Sequence, residues 1–182
     1  EFQAQNPQVI VLLSEGTLET LTDSLDKNDI DLALMSAPQE FPKRFASDVL
    51  FAEDYVVAFA PEHKFASVNE LRLADLHGEP YCSRLNCEYA DFIDNTLDQT
   101  GIELVVVQET PREDWIASMV RAGLGVAFMP QSLAQLAQLP WIKTCDVQFR
   151  RQVQALTLAE RPTSQSTQLL IEKLSGCDWT KI

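Results

Sequence analysis

Short apolar runs rich in β-branched residues recur along this chain, and segments with helical spacing of apolar residues separate most of them. Residues 9–16 (VIVLLSEG) read as a buried strand and a turn. Leu18, Leu21 and Leu25 then fall on one helical face within residues 17–27, and residues 30–36 (IDLALMS) form a second apolar run closed by Ala37 and Pro38. Strand, helix and strand in about 30 residues predict a βαβ unit, and with it a parallel sheet. The pattern continues. A strand is expected over 55–60, stopped by Pro61, then a helical turn over 68–76 and a strand over 80–83. A helix over 86–100 would stop at Gly101, and IELVVVQE (102–109) is the plainest strand. Thr110 and Glu113 have the spacing of a capping box, with Pro111 at the first helical position and Gly123 at the end. A strand over 125–129, a helix over 132–138, a strand over 153–158 and a helix over 163–175 complete the chain. The class is α/β. Two strand clusters, divided near Pro61 and Arg150, predict two lobes, each a mostly parallel sheet flanked by helices. Two crossover segments would join them, and a small molecule would bind in the cleft between.

Composition narrows the function. The 182 residues carry a formal charge of −13, and their basic residues form no cluster, so this surface repels nucleic-acid phosphates. No apolar run approaches the roughly 18 residues of a membrane span, so no membrane partner is expected. The start, EFQAQNPQV, is polar and lacks both an initiator methionine and the pattern of a secretion signal. It reads as a fragment of a longer cytoplasmic protein. The four cysteines, at 82, 87, 145 and 177, fit no zinc spacing and are expected as reduced thiols. Gly-x-Ser-x-Gly, the Walker loop and His-Glu-x-x-His are all absent. His63 and His77 lie in polar turns. Neither a reaction, nor a cofactor, nor a metal is expected.

An ordered series of short motifs carries a resemblance. It runs from Phe2, Pro7, Val9, Val11, Glu15 and Gly16 through Ile30-Asp31-Leu32-Ala33-Leu34 and Ala60-Pro61-Glu62-His63. It continues with Leu73-Ala74-Asp75-Leu76 and ends at Gly123-Leu124-Gly125-Val126-Ala127-Phe128-Met129-Pro130. The series resembles the effector-binding domain of LysR-type transcriptional regulators over nearly the whole chain. The resemblance implies a periplasmic-binding-protein-like fold with lobe I at 1–61 plus 151–182 and lobe II at 62–150. It implies that an N-terminal winged helix-turn-helix, the only part to touch DNA, lies outside this chain. The first strand and most of the first helix of lobe I would be absent too. The full-length partner would be a second copy, as a homodimer or homotetramer, with the strand at 9–13 and the lobe II helices as dimer surfaces. The function implied is sensing of a small anionic or polar effector.

Ligands of open α/β sheets sit beyond the carboxyl ends of strands and at helix N-termini. By that rule Ser83, Arg84 and Asn86 form the best candidate half-site, with Cys82 just before them. Arg84 offers a fork of donors suited to a carboxylate. Thr110 ends the next strand, and is a capping residue as well as a candidate for the cleft rim. Ser36 and Ala37 end the second strand of lobe I, and Val126 is a candidate for the pocket floor or for the core. Peroxide-sensing members of the resembling family use a cysteine near this position and another downstream, so Cys82 and Cys87 raise a thiol-switch alternative. The four residues between them are fewer than in the sensors, and a disulfide needs Cα atoms within about 7 Å. A free-standing solute-binding protein is the third reading.

Overall fold

The computed structural model describes residues 2–179. In chain order the elements are α1 (Phe2–Gln5), α2 (Leu18–Asp26), β1 (Ala33–Met35), β2 (Phe45–Ala58), β3 (Pro80–Arg84), α3 (Ala90–Thr100), β4 (Val105–Thr110), α4 (Glu113–Arg121), β5 (Ala127–Pro130), α5 (Gln131–Leu136), β6 (Trp141–Ile142), β7 (Arg150–Leu158) and α6 (Gln165–Ser175). Short 3₁₀ turns at Lys64–Ser67 and Leu73–Leu76 replace the single helical turn expected over 68–76. The chain divides into two compact units. Among the described residues unit 1 holds 2–52 and 152–179, and unit 2 holds Glu53–Arg151. The divisions fall inside β2 and β7.

Unit 1 is built on a small apolar core. Thr17 caps α2 by accepting the Thr20 N–H, and the helix buries Leu25. In β1 the residues alternate, with Ala33 and Met35 inward and Leu34 about half exposed. These side chains meet Phe45 and Leu156 in one cluster. β1 pairs antiparallel with β7, setting Ala33 opposite Leu156 and Met35 opposite Gln154.

The expected βαβ unit does not form. Residues 9–16 take up no strand, and Ile10, Leu12 and Leu13 are 80–93% exposed. An apolar run becomes a strand only when a neighbour satisfies its backbone groups. Among the described residues no strand pairs with this run, and β1 finds its partner in β7 instead.

Unit 2 is a three-layer sandwich. The end of β2 pairs antiparallel with β5 on one side (Tyr55 opposite Pro130, Ala58 opposite Ala127) and with β6 on the other (Val57 opposite Ile142). β3 and β4 run parallel, and β3 meets the start of β5 through a parallel bridge between Tyr81 and Val126. The parallel expectation therefore holds for β3, β4 and β5, while β2 and β6 run against their neighbours. Residues 55–58 and all of β5 are buried on both faces, as suits strands covered by helices above and below. On one face Tyr55, Val57, Phe128 and Phe149 pack with Ile93 and Leu97 of α3. On the other, Val56, Ala58 and Met129 pack with Ile116, Ala117 and Val120 of α4 and Ala134 of α5. Gly125 makes the β3–β5 approach possible, because a Cβ there would sit 2.5 Å from the Pro80 carbonyl oxygen.

The helix expected from residue 86 begins at Ala90. Asn86 adopts φ 59°, a left-handed turn that Asn tolerates better than most residues but that no helix contains. Gly101 ends the helix with φ 68°, as expected.

Candidate functional site

Parallel pairing brings the carboxyl ends of β3 and β4 side by side. Arg84 stands opposite Thr110 and Ser83 opposite Glu109. The turns beyond these ends are tied together, since the Leu85 N–H donates to the Thr110 carbonyl at 3.0 Å. The expected capping box is absent. Thr110 Oγ1 accepts from the Arg112 N–H at 3.2 Å, Arg112 is the N-cap of α4, and Glu113 does not reach back to the backbone. Its carboxylate instead receives Arg84 Nη1. A guanidinium offers the carboxylate a full opposite charge, which a backbone amide does not.

That contact opens a chain of charged groups, all within unit 2. Arg84 Nη2 donates to Glu88 Oε2 at 2.6 Å. Glu88 Oε1 accepts from Arg151 Nη1 at 3.0 Å and from the Tyr55 hydroxyl at 3.4 Å. Arg151 Nε and Nη2 both donate to Glu53 Oε1, at 2.9 and 2.8 Å, and Glu53 Oε2 accepts the Ser132 N–H at 2.8 Å. The Tyr55 hydroxyl also lies 3.7 Å from Cys87 Sγ. Glu53 and Arg151 are the most enclosed pair, with side chains 10% and 18% exposed, and Glu113 is the most open member at 38%. Three carboxylates face two guanidinium groups, leaving one net negative charge.

Burial and charge act together on the ionisable groups. Burial opposes the Arg84 charge, but Glu113 first, then Cys87 and Glu88, raise its pKa above the ordinary value. Arg151 behaves alike: burial lowers it, while Tyr55, Glu53 and Glu88 outweigh the loss. Burial pushes the Tyr55 phenol far up, helped by Cys87 and Glu88, and burial also raises Tyr81 and the Cys82 thiol.

The structure brings Ser83, Arg84 and Thr110 together at one edge of unit 2, with Ser83 and Arg84 half-buried and Thr110 buried. Asn86 lies exposed on the turn just beyond them. Cys82 and Val126 are each 1% exposed, and their side chains are committed to the two core clusters. Ser36 (buried) and Ala37 (half-buried) follow β1 in unit 1. All four cysteines are free. Cys82 packs with α4 residues on one face of the unit 2 sheet, whereas Cys87 packs with the Tyr55 and Tyr89 cluster on the other. A disulfide between them would have to reach around the sheet. His63 holds its turn in place: its Nδ1 accepts the Phe65 N–H and its Nε2 lies 3.2 Å from Glu79. Glu53, Glu88, Glu113, Arg151 and Tyr55 escaped the sequence reading. Only the four-residue spacing of Arg84 and Glu88 was a visible signal.

The family described as "LysR substrate binding domain" matches residues 1–176. The chain belongs to this family. Among curated relatives of the domain, the transcriptional regulator XapR of Escherichia coli is 28% identical over 74% of this chain and 46% of its own length. The regulator AlsR of Bacillus subtilis is 26% identical over 88% of this chain and 52% of its own. The chain thus spans about half the length of these relatives. Among solved structures, the Synechocystis CcmR regulatory domain in complex with 2-PG superposes with a TM-score of 0.85 at 18% identity, covering 96% of this chain and 86% of that one. The effector-binding domain of QuiR in complex with shikimate gives 0.76 at 17% identity, covering 96% and 84%. The fold is therefore the two-lobed, periplasmic-binding-protein-like α/β fold of LysR effector-binding domains.

Proposed function

We propose that this LysR substrate-binding domain senses a small anionic or polar effector at the carboxyl ends of β3 and β4, and that occupancy there biases transcriptional regulation by a longer, oligomeric, cytoplasmic chain. Arg84 carries the reading. It is the one predicted site residue with a full charge, it is half-buried at a strand end beside a helix start, and its donors are already engaged by carboxylates, the chemistry an anionic ligand would present. Ser83 and Thr110 flank it and supply neutral donors and acceptors. Ser36 and Ala37 directly follow the carboxyl end of β1 and are proposed contacts from unit 1. The ligands bound by the CcmR and QuiR domains support a small-molecule effector here. DNA contact belongs to the part of such regulators outside this acidic chain, and no helix among the described residues is long and apolar enough to cross a membrane.

Self-association through a second copy completes the proposal. Ile10, Leu12 and Leu13 in unit 1, and separately Val105, Val106 and Val107 on β4 of unit 2, are runs of exposed apolar residues of the kind that mark interfaces. The test of the sensing role is thermal denaturation against a library of small carboxylates, phosphates and neutral polar metabolites. A stabilising compound should lose its effect in Arg84→Ala. Stabilisation by an anion that survives this substitution would remove Arg84 from the site.

A further inference from the structure

We infer that Glu113 is a built-in counter-anion that occupies the effector's place on Arg84 and is displaced when an anion binds; the inference rests on Arg84 being the anion-binding group. The two carboxylates on Arg84 are not equivalent. Glu88 is also held by Arg151 and Tyr55 and is 19% exposed, so it is fixed from three directions. Glu113 is 38% exposed, and Arg84 is its side chain's sole partner among the described residues. The guanidinium fork divides cleanly between them: Nη2 faces Glu88 and Nη1 faces Glu113. Loss of Glu113 would open the Nη1 edge while Glu88 kept the arginine in place.

Charge gives the exchange its direction. The cluster already carries one net negative charge. An anion added on top of Glu113 would meet like charge at contact distance, whereas an anion replacing it leaves the arginine's pairing unchanged. Release costs Glu113 little, because it is the first residue of α4, where the helix dipole and free amides favour a negative side chain. The outcome is a threshold: weak or singly contacting anions lose to Glu113, and a ligand with further contacts to Ser83 and Thr110 wins.

The test uses succinate and inorganic phosphate as probes, with binding measured calorimetrically at low ionic strength on wild type, Glu113→Gln, Arg84→Ala and Asp114→Asn. Asp114 is the control, a carboxylate one residue away that pairs with Arg112 and not with Arg84. Glu113→Gln should bind at least one probe about fivefold to tenfold tighter than wild type, which corresponds to about 1–1.4 kcal/mol. Asp114→Asn should change affinity less than about twofold, since exposed charges act weakly at a distance. Arg84→Ala should bind neither probe. Equal affinity in wild type and Glu113→Gln, with binding lost in Arg84→Ala, overturns the counter-anion while leaving Arg84 as the anion site. Unchanged binding in Arg84→Ala overturns both. An equal gain in Asp114→Asn reduces the effect to bulk charge and overturns the inference, as does failure of a well-folded Glu113→Gln to bind either probe.

Discussion

Replacing Arg151 with methionine isolates the physics of the buried charge chain. Methionine keeps most of the stem's volume but removes all three donors. Glu53 then loses two charge-assisted bonds and keeps the Ser132 N–H, and Glu88 keeps Arg84 and Tyr55. The Arg151 guanidinium also leaves the face of the Tyr55 ring, whose centroid is 5.7 Å away. Breaking a buried pair by removing one partner costs about 3–5 kcal/mol, because a charge remains without compensation. Glu53 is 10% exposed and keeps one donor, so the lower end of that range, about 3 kcal/mol, is expected. For a chain of this size that is a drop in Tm of about 6–12 °C. Denaturant unfolding of wild type, Arg151→Met, Glu53→Gln and the double variant forms the assay. The double variant should recover part of the loss, since neutralising Glu53 removes the stranded charge, giving a coupling of at least about 1 kcal/mol. A loss below about 1 kcal/mol in Arg151→Met, or strict additivity, would refute the claim that these charges depend on each other.

Burial raises the Tyr55 and Tyr81 phenols above the ordinary value of 10.0. A raised pKa means the stability is fully present below pH 10 and is lost as pH climbs, by up to about 1.4 kcal/mol per pH unit per tyrosine; Tyr81→Phe should therefore flatten the alkaline limb of a stability-against-pH curve. Cys145 and Cys177 are exposed and should react at once with a thiol reagent, whereas Cys82 should react only on unfolding, and mild peroxide should give no 82–87 disulfide by mass spectrometry. Gly125→Ala should destabilise unit 2 by about 2 kcal/mol or more in urea, because its Cβ meets the Pro80 carbonyl rather than a movable side chain. Leu12→Asp should shift any dimer toward monomer in sedimentation, and at concentrations where wild type is monomeric its Tm should match wild type, since the side chain is 87% exposed.

Much of the local structure was legible because its signals are local. Leu18, Leu21 and Leu25 announced α2, Gly101 and Gly123 marked real helix ends, and the β5 run is buried as its composition implies. The first part of β2 was not legible, because Asp48, Glu53 and Asp54 interrupt its apolar residues and residues 46–54 are all exposed or only partly buried. Residues 9–13 misled for the opposite reason: strand composition says nothing about whether a neighbouring strand exists. At the site, Ser83, Arg84 and Thr110 were within reach of the strand-end rule. Their charged surroundings were not, since Arg151 lies 98 residues from Glu53 and 63 from Glu88, and Glu113 looked like half of a capping box. Side-chain partners that far apart are decided by the fold alone.

The most direct test of an effector site at Arg84 is a crystal structure of the domain grown with an anionic metabolite that stabilises it. Density for that molecule should lie within hydrogen-bond reach of the Arg84 guanidinium, with the Glu113 carboxylate turned away. A ligand seated elsewhere, with Arg84 still clasped by both Glu88 and Glu113, would contradict it.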